Sequence, residues 1–329
     1  MGSSARILPI EPGAYVPHLL HDPTRAWPET NCYVDLWIEV LNAFGYEPRA
    51  ALSFCLELDF EGDQWTFFKF PLQDLSALYG IEVQEMAVWR PLQLHVMEHL
   101  AQGRLLIVEM DSHYLPDTKG TAYRLEHVKT SIGIQHVDTA AERLGYFHNA
   151  GYYGLEGEDY RGVFRLLEGL KENPHILPPY VEMVKFNPER ALKGAALGKA
   201  SLELFRARLQ RSPKNNPFKP YRARFEEDVA WLLTQPLATY HLYAFNTLRQ
   251  VGAAFGLAAS QLQWLHEHVQ GDLKVAEEAF GELANLSKAL MFQLARAVNR
   301  KKPLDATSTF DAFEQQWEKG MGCLTAHFR

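Results

Sequence analysis

The ten residues His127-Val-Lys-Thr-Ser-Ile-Gly-Ile-Gln-His136 decide how the first half of this chain reads. In an extended strand successive side chains alternate, so Val128, Thr130, Ile132 and Ile134 share one side while His127, Lys129, Ser131 and Gly133 share the other. The first side is core. The second carries an imidazole, a hydroxyl and a glycine, a profile that lets another element approach closely at Gly133. Turn signals around Asp138–Arg143 are followed by Leu144-Gly-Tyr-Phe-His-Asn149, a second strand that predicts a hairpin with the first. In that hairpin Asn149 is expected beside His127.

Outward from this pair, strands are predicted over Ala51–Phe60, Trp65–Phe70 and Leu105–Met110, and helices over Leu72–Tyr79 and Leu92–Gln102. Asn31–Phe44 has apolar residues at 36, 37, 40, 41 and 44, the spacing of a helix buried on one side, with Asn31 as N-cap and Gly45 as stop. The pattern changes near Asn187-Pro188. From there helices are expected near 189–211, 222–233, 237–255, 258–270, 272–299 and 306–320, punctuated by Pro213, Pro217, Pro220, Pro236 and Pro303. The expectation is an α+β domain with a mainly antiparallel sheet over 1–187, followed by an all-α domain over 188–329.

The chain has 329 residues, 47% of them hydrophobic and 22% charged, so it can bury a core and is not a disordered segment. No apolar run approaches the ~20 residues of a spanning helix, and Met1–Pro12 lacks the apolar core of a signal peptide, so a cytoplasmic protein without a membrane partner is expected. Cys32, Cys55 and Cys323 are too few and scattered for a disulfide framework or a four-ligand zinc site. A net charge of −7 argues against generic nucleic-acid binding, but between Glu189 and Arg224 ten basic residues face two acids. That tract, including Arg206, Arg208 and Arg211, reads as a docking surface for an acidic partner or as a solvated helix face.

Cys32 stands in the first turn of the helix capped by Asn31, where unpaired backbone N–H groups and the helix dipole stabilise a thiolate. A lone buried cysteine is the plain alternative. His127 supplies a base and Asn149 an orienting group. A Cys, a His and then an Asn in chain order, with the His opening one strand and the Asn ending the next, is the papain-like arrangement.

Several stretches carry a resemblance. Asn31-Cys-Tyr-Val-Asp-Leu-Trp37, Asp59-Phe-Glu-Gly-Asp-Gln64, Asp111-Ser-His-Tyr-Leu-Pro-Asp-Thr118, His127-Val-Lys-Thr130 and Tyr146-Phe-His-Asn-Ala-Gly151 resemble, in order, a bacterial family known as the domain of unknown function 1839. Its members are often encoded beside carrier proteins and the ligases that load amino acids onto them. The first half is also similar, more remotely, to the papain-like acyltransferase of the butirosin pathway, through an early Cys on a helix, an Asp-x-x-x-Leu-Pro loop after a strand, and a His opening the next strand. An Asp-Pro is usual in the family where this chain has Asn149-Ala150. The resemblance implies an acyltransferase of papain-like fold. It would move an aminoacyl group from a carrier-protein phosphopantetheine thioester, through a Cys32 acyl-enzyme, to a small amine or hydroxyl acceptor, with no cofactor bound by the enzyme itself.

Within that chemistry Cys32 is the nucleophile, His127 the base, and the Cys32 backbone N–H with Asn31 the oxyanion donors. Candidates for substrate contact are Asp59, Glu61, Asp63 and Gln64 in one turn, Asp111 and Asp117 in the loop before His127, and Lys129. No metal is expected: Gly62 is misplaced for an EF-hand loop, and His136, Asp138 and His148 match no standard site. Water as acceptor would make the same site a thioesterase or a cysteine peptidase. A carrier-binding scaffold without catalysis is the alternative of a different class.

Overall fold

The computed structural model describes residues 3–171, 173, 176–268 and 272–328. Two compact units alternate along the chain: Met1–Leu19, Asn31–Tyr46 and Leu75–Ala191 form the first, and Leu20–Thr30, Glu47–Asp74 and Leu192–Arg329 the second. Two pieces of the span expected to be one N-terminal domain, Leu20–Thr30 and Glu47–Asp74, thus pack with the C-terminal helices. Among the described residues no helix is long and apolar enough to cross a membrane.

The first unit is α+β. Its elements are β1 (Ser4–Arg6), α1 (Cys32–Ala43), α2 (Leu72–Tyr79, begun in the other unit), β2 (Ile81–Glu85), α3 (Leu92–Ala101), β3 (Leu105–Asp111), β4 (Lys129–Asp138), β5 (Arg143–His148), β6 (Gly151–Glu156), α4 (Glu158–Val163) and β7 (Val181–Phe186). The strands form one antiparallel sheet in the order β2-β7-β3-β4-β5-β6, and β1 joins the far half of β4 beyond a register shift between Ile134 and His136. The predicted strands at Leu105, Val128 and Leu144 and the helices at Cys32, Leu72 and Leu92 are present.

The two sheet faces bury different things. Val108, Met110, Ile132, Ile134 and Tyr146 pack with Val96 and Leu100 of α3 and Tyr160 and Val163 of α4 in a single apolar core. Fully burying an aliphatic or aromatic side chain of this kind contributes ~1.5–3 kcal/mol, so this core is a large part of the stability of the unit. The opposite face carries α1. A Cβ added at Gly133 would stand 2.9 Å from Leu36 Cδ1 and 3.6 Å from Val40 Cγ2. The glycine is therefore what lets α1 lie directly on β4, as the alternation pattern led one to expect.

The second unit is helical: α5 (Gly194–Arg211), α6 (Phe218–Leu232), α7 (Leu237–Asn246), α8 (Leu248–Leu265), α9 (Lys274–Arg300) and α10 (Thr307–Phe328). The helix expected over 237–255 breaks at Thr247, whose hydroxyl donates to the Tyr243 carbonyl and closes α7. The expected strand Ala51–Phe60 is instead a 3-10 helix, Pro48–Glu57, packed on α5 and α8. Its apolar residues are buried all round, so they gave no alternation by which strand and helix could be told apart. Trp65–Phe70 forms no strand: among the described residues it has one isolated bridge, Phe60 with Trp65.

Candidate active site

Asn31 is buried and starts α1 by accepting the Val34 N–H on Oδ1 at 3.0 Å. Such a cap contributes ~1 kcal/mol to the helix. Cys32, the first helical residue, is half-exposed. Contacts along α1 fix its direction. Tyr33 in the first turn donates to Glu182 Oε2 at 2.8 Å, and Phe44 just past the last turn stacks on Phe186 with ring centres 3.8 Å apart. Glu182 and Phe186 follow each other along β7, so α1 runs with β7, and both neighbours in turn, β7 to β3 and β3 to β4, are antiparallel. The N-terminus of α1 therefore points to the end of the sheet where β3 finishes and β4 begins.

That end holds an imidazole and a carboxylate in contact. Asp111 closes β3 opposite Lys129. Its Oδ1 accepts the His113 N–H at 3.0 Å, and its Oδ2 lies 2.6 Å from His127 Nδ1. The His113 ring stacks on the His127 ring, 4.3 Å between centres and 11° from parallel. With Nδ1 held by a carboxylate, the neutral ring carries its proton there and leaves Nε2 as a base. The His127 side chain is 66% exposed and Asp111 37%, so this is an open dyad with access from solvent. Asp111, expected as a substrate contact, makes the contact with the His127 ring that was expected of Asn149.

Asn149 lies elsewhere. The predicted hairpin of β4 and β5 forms, but its register pairs Gly133 with Phe147, which sets Asn149 opposite Ser131. Four residues, ~13 Å of strand, separate that level from His127. Asn149 sits with φ 44° in the two-residue turn from β5 to β6, a left-handed conformation that Asn tolerates well. The turn accounts for its presence.

The other expected contacts are also placed. Asp117 is buried: its Oδ2 lies 2.5 Å from His148 Nδ1, its Oδ1 accepts the Tyr146 hydroxyl at 2.5 Å, and His148 Nε2 meets Thr130 Oγ1 at 2.8 Å. Burial, reinforced by the Asp117 charge, pushes the Tyr146 hydroxyl far above its ordinary pKa. Both Asp117 oxygens are bonded inside the fold, which makes the residue a strut under the loop. Lys129 Nζ pairs with Glu109 Oε1 at 2.6 Å. Asp59, Glu61, Asp63 and Gln64 belong to the helical unit, where Asp59 Oδ1 accepts the Phe60 N–H, Glu61 Oε1 accepts the Thr66 hydroxyl, and the Gln64 carbonyl accepts the Glu61 N–H.

Most of the basic tract is exposed, but Arg208 and Arg211 are held by acids of the same unit. Arg208, 12% exposed, reaches Glu57 Oε2 at 2.7 Å and both Asp74 carboxylate oxygens at 2.9 Å, and Arg211 Nε lies 2.6 Å from Glu57 Oε1. The Arg206 guanidinium sits over the Phe328 ring at 5.5 Å. Helix-to-helix struts, not a free positive face, explain Arg208 and Arg211.

Two features escaped the sequence reading. His113 stacks on the base, and its half-buried ring has an Nδ1 without a hydrogen-bond partner among the described residues. Glu39, fully buried in α1, accepts the His18 N–H at 3.0 Å and the Tyr15 hydroxyl, anchoring the segment before the helix. An Asp-x-His at a strand end was the available signal for the first. For Glu39 an acid amid the apolar positions of a buried helix was the only hint.

The DUF1839 N-terminal domain matches residues 16–186 and the DUF1839 C-terminal domain residues 194–326, so the chain belongs to that family. No curated protein matches it in sequence.

Proposed function

For this member of the DUF1839 family we propose acyl transfer through a covalent Cys32 intermediate, in a papain-like site whose third member is Asp111. The observation that carries the reading is the His127–Asp111 pair at the end of the sheet toward which the α1 N-terminus, with Cys32, is directed. His127 Nε2 takes the Cys32 proton, and Sγ attacks the carbonyl carbon of a thioester. The donor C–S bond breaks, and the pantetheine thiol leaves with the proton from His127. An amine or hydroxyl then attacks the acyl-enzyme while His127 removes its proton, and the Cys32 thiol is regenerated by that proton. Asp111 keeps the proton of the resting imidazole on Nδ1 and stabilises the imidazolium. The Cys32 backbone N–H, unpaired at a helix start, faces the developing oxyanion, with Asn31 beside it.

The family resemblance supplies the donor: an aminoacyl group on the phosphopantetheine of a carrier protein, passed to a small-molecule acceptor in the cytoplasm. The chemistry asks for no resident cofactor. The carrier docks without Arg208 and Arg211, which are committed to Glu57 and Asp74.

Thiol reactivity tests the site. Cys55 is fully buried and burial pushes its thiol pKa well up, so it is an internal reference for an inert cysteine. Iodoacetamide should modify Cys32 first, by an order of magnitude or more over Cys55, and His127→Ala should slow it. Labelling of Cys32 no faster than Cys323, unchanged in His127→Ala, would favour a scaffold over an enzyme.

A further inference from the structure

A cavity of about 470 Å³ opens in the first unit, with a wall that includes Glu109 and Asp111 of β3, Tyr114, and the segment that follows α4. A volume of that size accommodates a small-molecule arm and exceeds the need of a single side chain. Most of its surface is apolar, from residues such as Leu92, Val163, Leu166 and Ile176. The charges on the wall are unequal in their partners. Glu109 is paired with Lys129 and Asp111 with His127, whereas Arg165 and Lys171 have no ion pair among the described residues.

Arg165 is also the residue held in an uncommon way. It follows the last turn of α4 with φ 56°, a left-handed position where glycine is the usual choice. Its N–H bonds the Gly162 carbonyl at 3.0 Å, and Nη1 donates to the Leu177 carbonyl at 2.5 Å. An arginine kept where glycine would be free of strain, lining the cavity with the Leu177 carbonyl as the one guanidinium partner among the described residues, brings to the wall a charge without a counter-ion there. Burial lowers its pKa, and the Asp111 carboxylate, near enough to be felt, opposes that.

We propose that Arg165 is the anion-binding residue of this cavity, which takes an apolar arm carrying a phosphate or carboxylate and presents it beside the His127–Asp111 pair. The identification of that ligand as the acyl donor or acceptor rests on the acyl-transfer reading above; the binding itself does not. An oxyanion on Arg165 gains charge-assisted hydrogen bonds in a partly desolvated wall, where they are stronger than at the open surface.

The test is calorimetric, on full-length Cys32→Ala protein, so that no covalent step intervenes. Two matched pairs of probes are used: phosphopantetheine against pantetheine, and octanoate against octanol. At least one anionic probe should bind about tenfold or more tighter than its neutral partner. Arg165→Gly, which suits the backbone and should melt no lower than the parent, should erase that preference, and Arg165→Lys should keep part of it. A preference confined to phosphopantetheine assigns the anion to the donor's phosphate; one confined to octanoate assigns it to a carboxylate on the transferred or accepting group. Equal binding of both members of each pair, or a preference that survives Arg165→Gly, overturns the proposal. Loss of the Cys32 acyl adduct elsewhere would leave this result standing, so the two readings fail separately.

Discussion

The last residue of β3 and the loop after it supply the aspartates of two Asp–His pairs, and the pairs have opposite fates. Asp111 meets His127 at 2.6 Å and Asp117 meets His148 at 2.5 Å, so the bonds themselves are alike. Burial divides them: the His127 side chain is 66% exposed, the His148 side chain 2%. The other ring nitrogen decides the consequence. His148 Nε2 is taken by Thr130, and Asp117 is further held by Tyr146, so every polar group of the buried pair has a partner and nothing is left to react. Among the described residues His127 has a hydrogen-bond partner at Nδ1 alone. The contrast teaches that an Asp–His contact by itself says little about chemistry; the open nitrogen does.

The difference can be broken or sharpened by substitution. The largest effect expected is Asp117→Ala, which leaves buried polar atoms on His148 and Tyr146 unpaired and should destabilise the protein by ~3–5 kcal/mol in urea titration. A change below ~1 kcal/mol would mean that the buried pair is not a strut. Next comes His127→Ala, with acyl transfer down ~10²–10⁴-fold. Its stability should stay within ~0.5 kcal/mol of wild type, as for an exposed substitution; a large drop in melting temperature would erase the distinction between the pairs. Tyr146→Phe removes one hydrogen bond from Asp117 and should lose ~1–3 kcal/mol, with the acyl-transfer rate at saturating substrate little altered. The smallest stability effect is that of Asp111→Asn, within ~0.5 kcal/mol by the same titration. Its transfer activity should nonetheless fall, because an amide can hold the imidazole in the wrong tautomer. Full activity in that variant would remove Asp111 from the site.

Much of the first unit was legible because β4 alternates an apolar side with a side that carries the small Gly133. The β4 alternation and Gly133 led to the packing of α1, and Asn31 with Gly45 bracketed that helix to within a residue or two. The partner of His127 was misplaced for a physical reason. His127 has two hairpin neighbours, β3 before it and β5 after it, and the short connection to β5 made that strand the natural partner. The long loop from Asp111 hid the fact that β3 ends level with Lys129, which puts Asp111, not Asn149, within reach. Charge counting misled at Arg208 because a basic tract reads the same whether its partners, Glu57 and Asp74, are distant in sequence or absent. Short strands such as β2 and β6 at the ends of the sheet order, and β7 inside it, went unnoticed, since five or six residues each carry too little periodicity to register.

The most direct test of the account is intact-protein mass spectrometry after mixing the full chain with an aminoacyl pantetheine thioester. The wild type should gain the mass of one acyl group, located on Cys32 by peptide mapping, while Cys32→Ala gains none and His127→Ala gains it far more slowly. An adduct of undiminished amount in Cys32→Ala, or equal rates for His127→Ala and wild type across about pH 6 to 9, would contradict it.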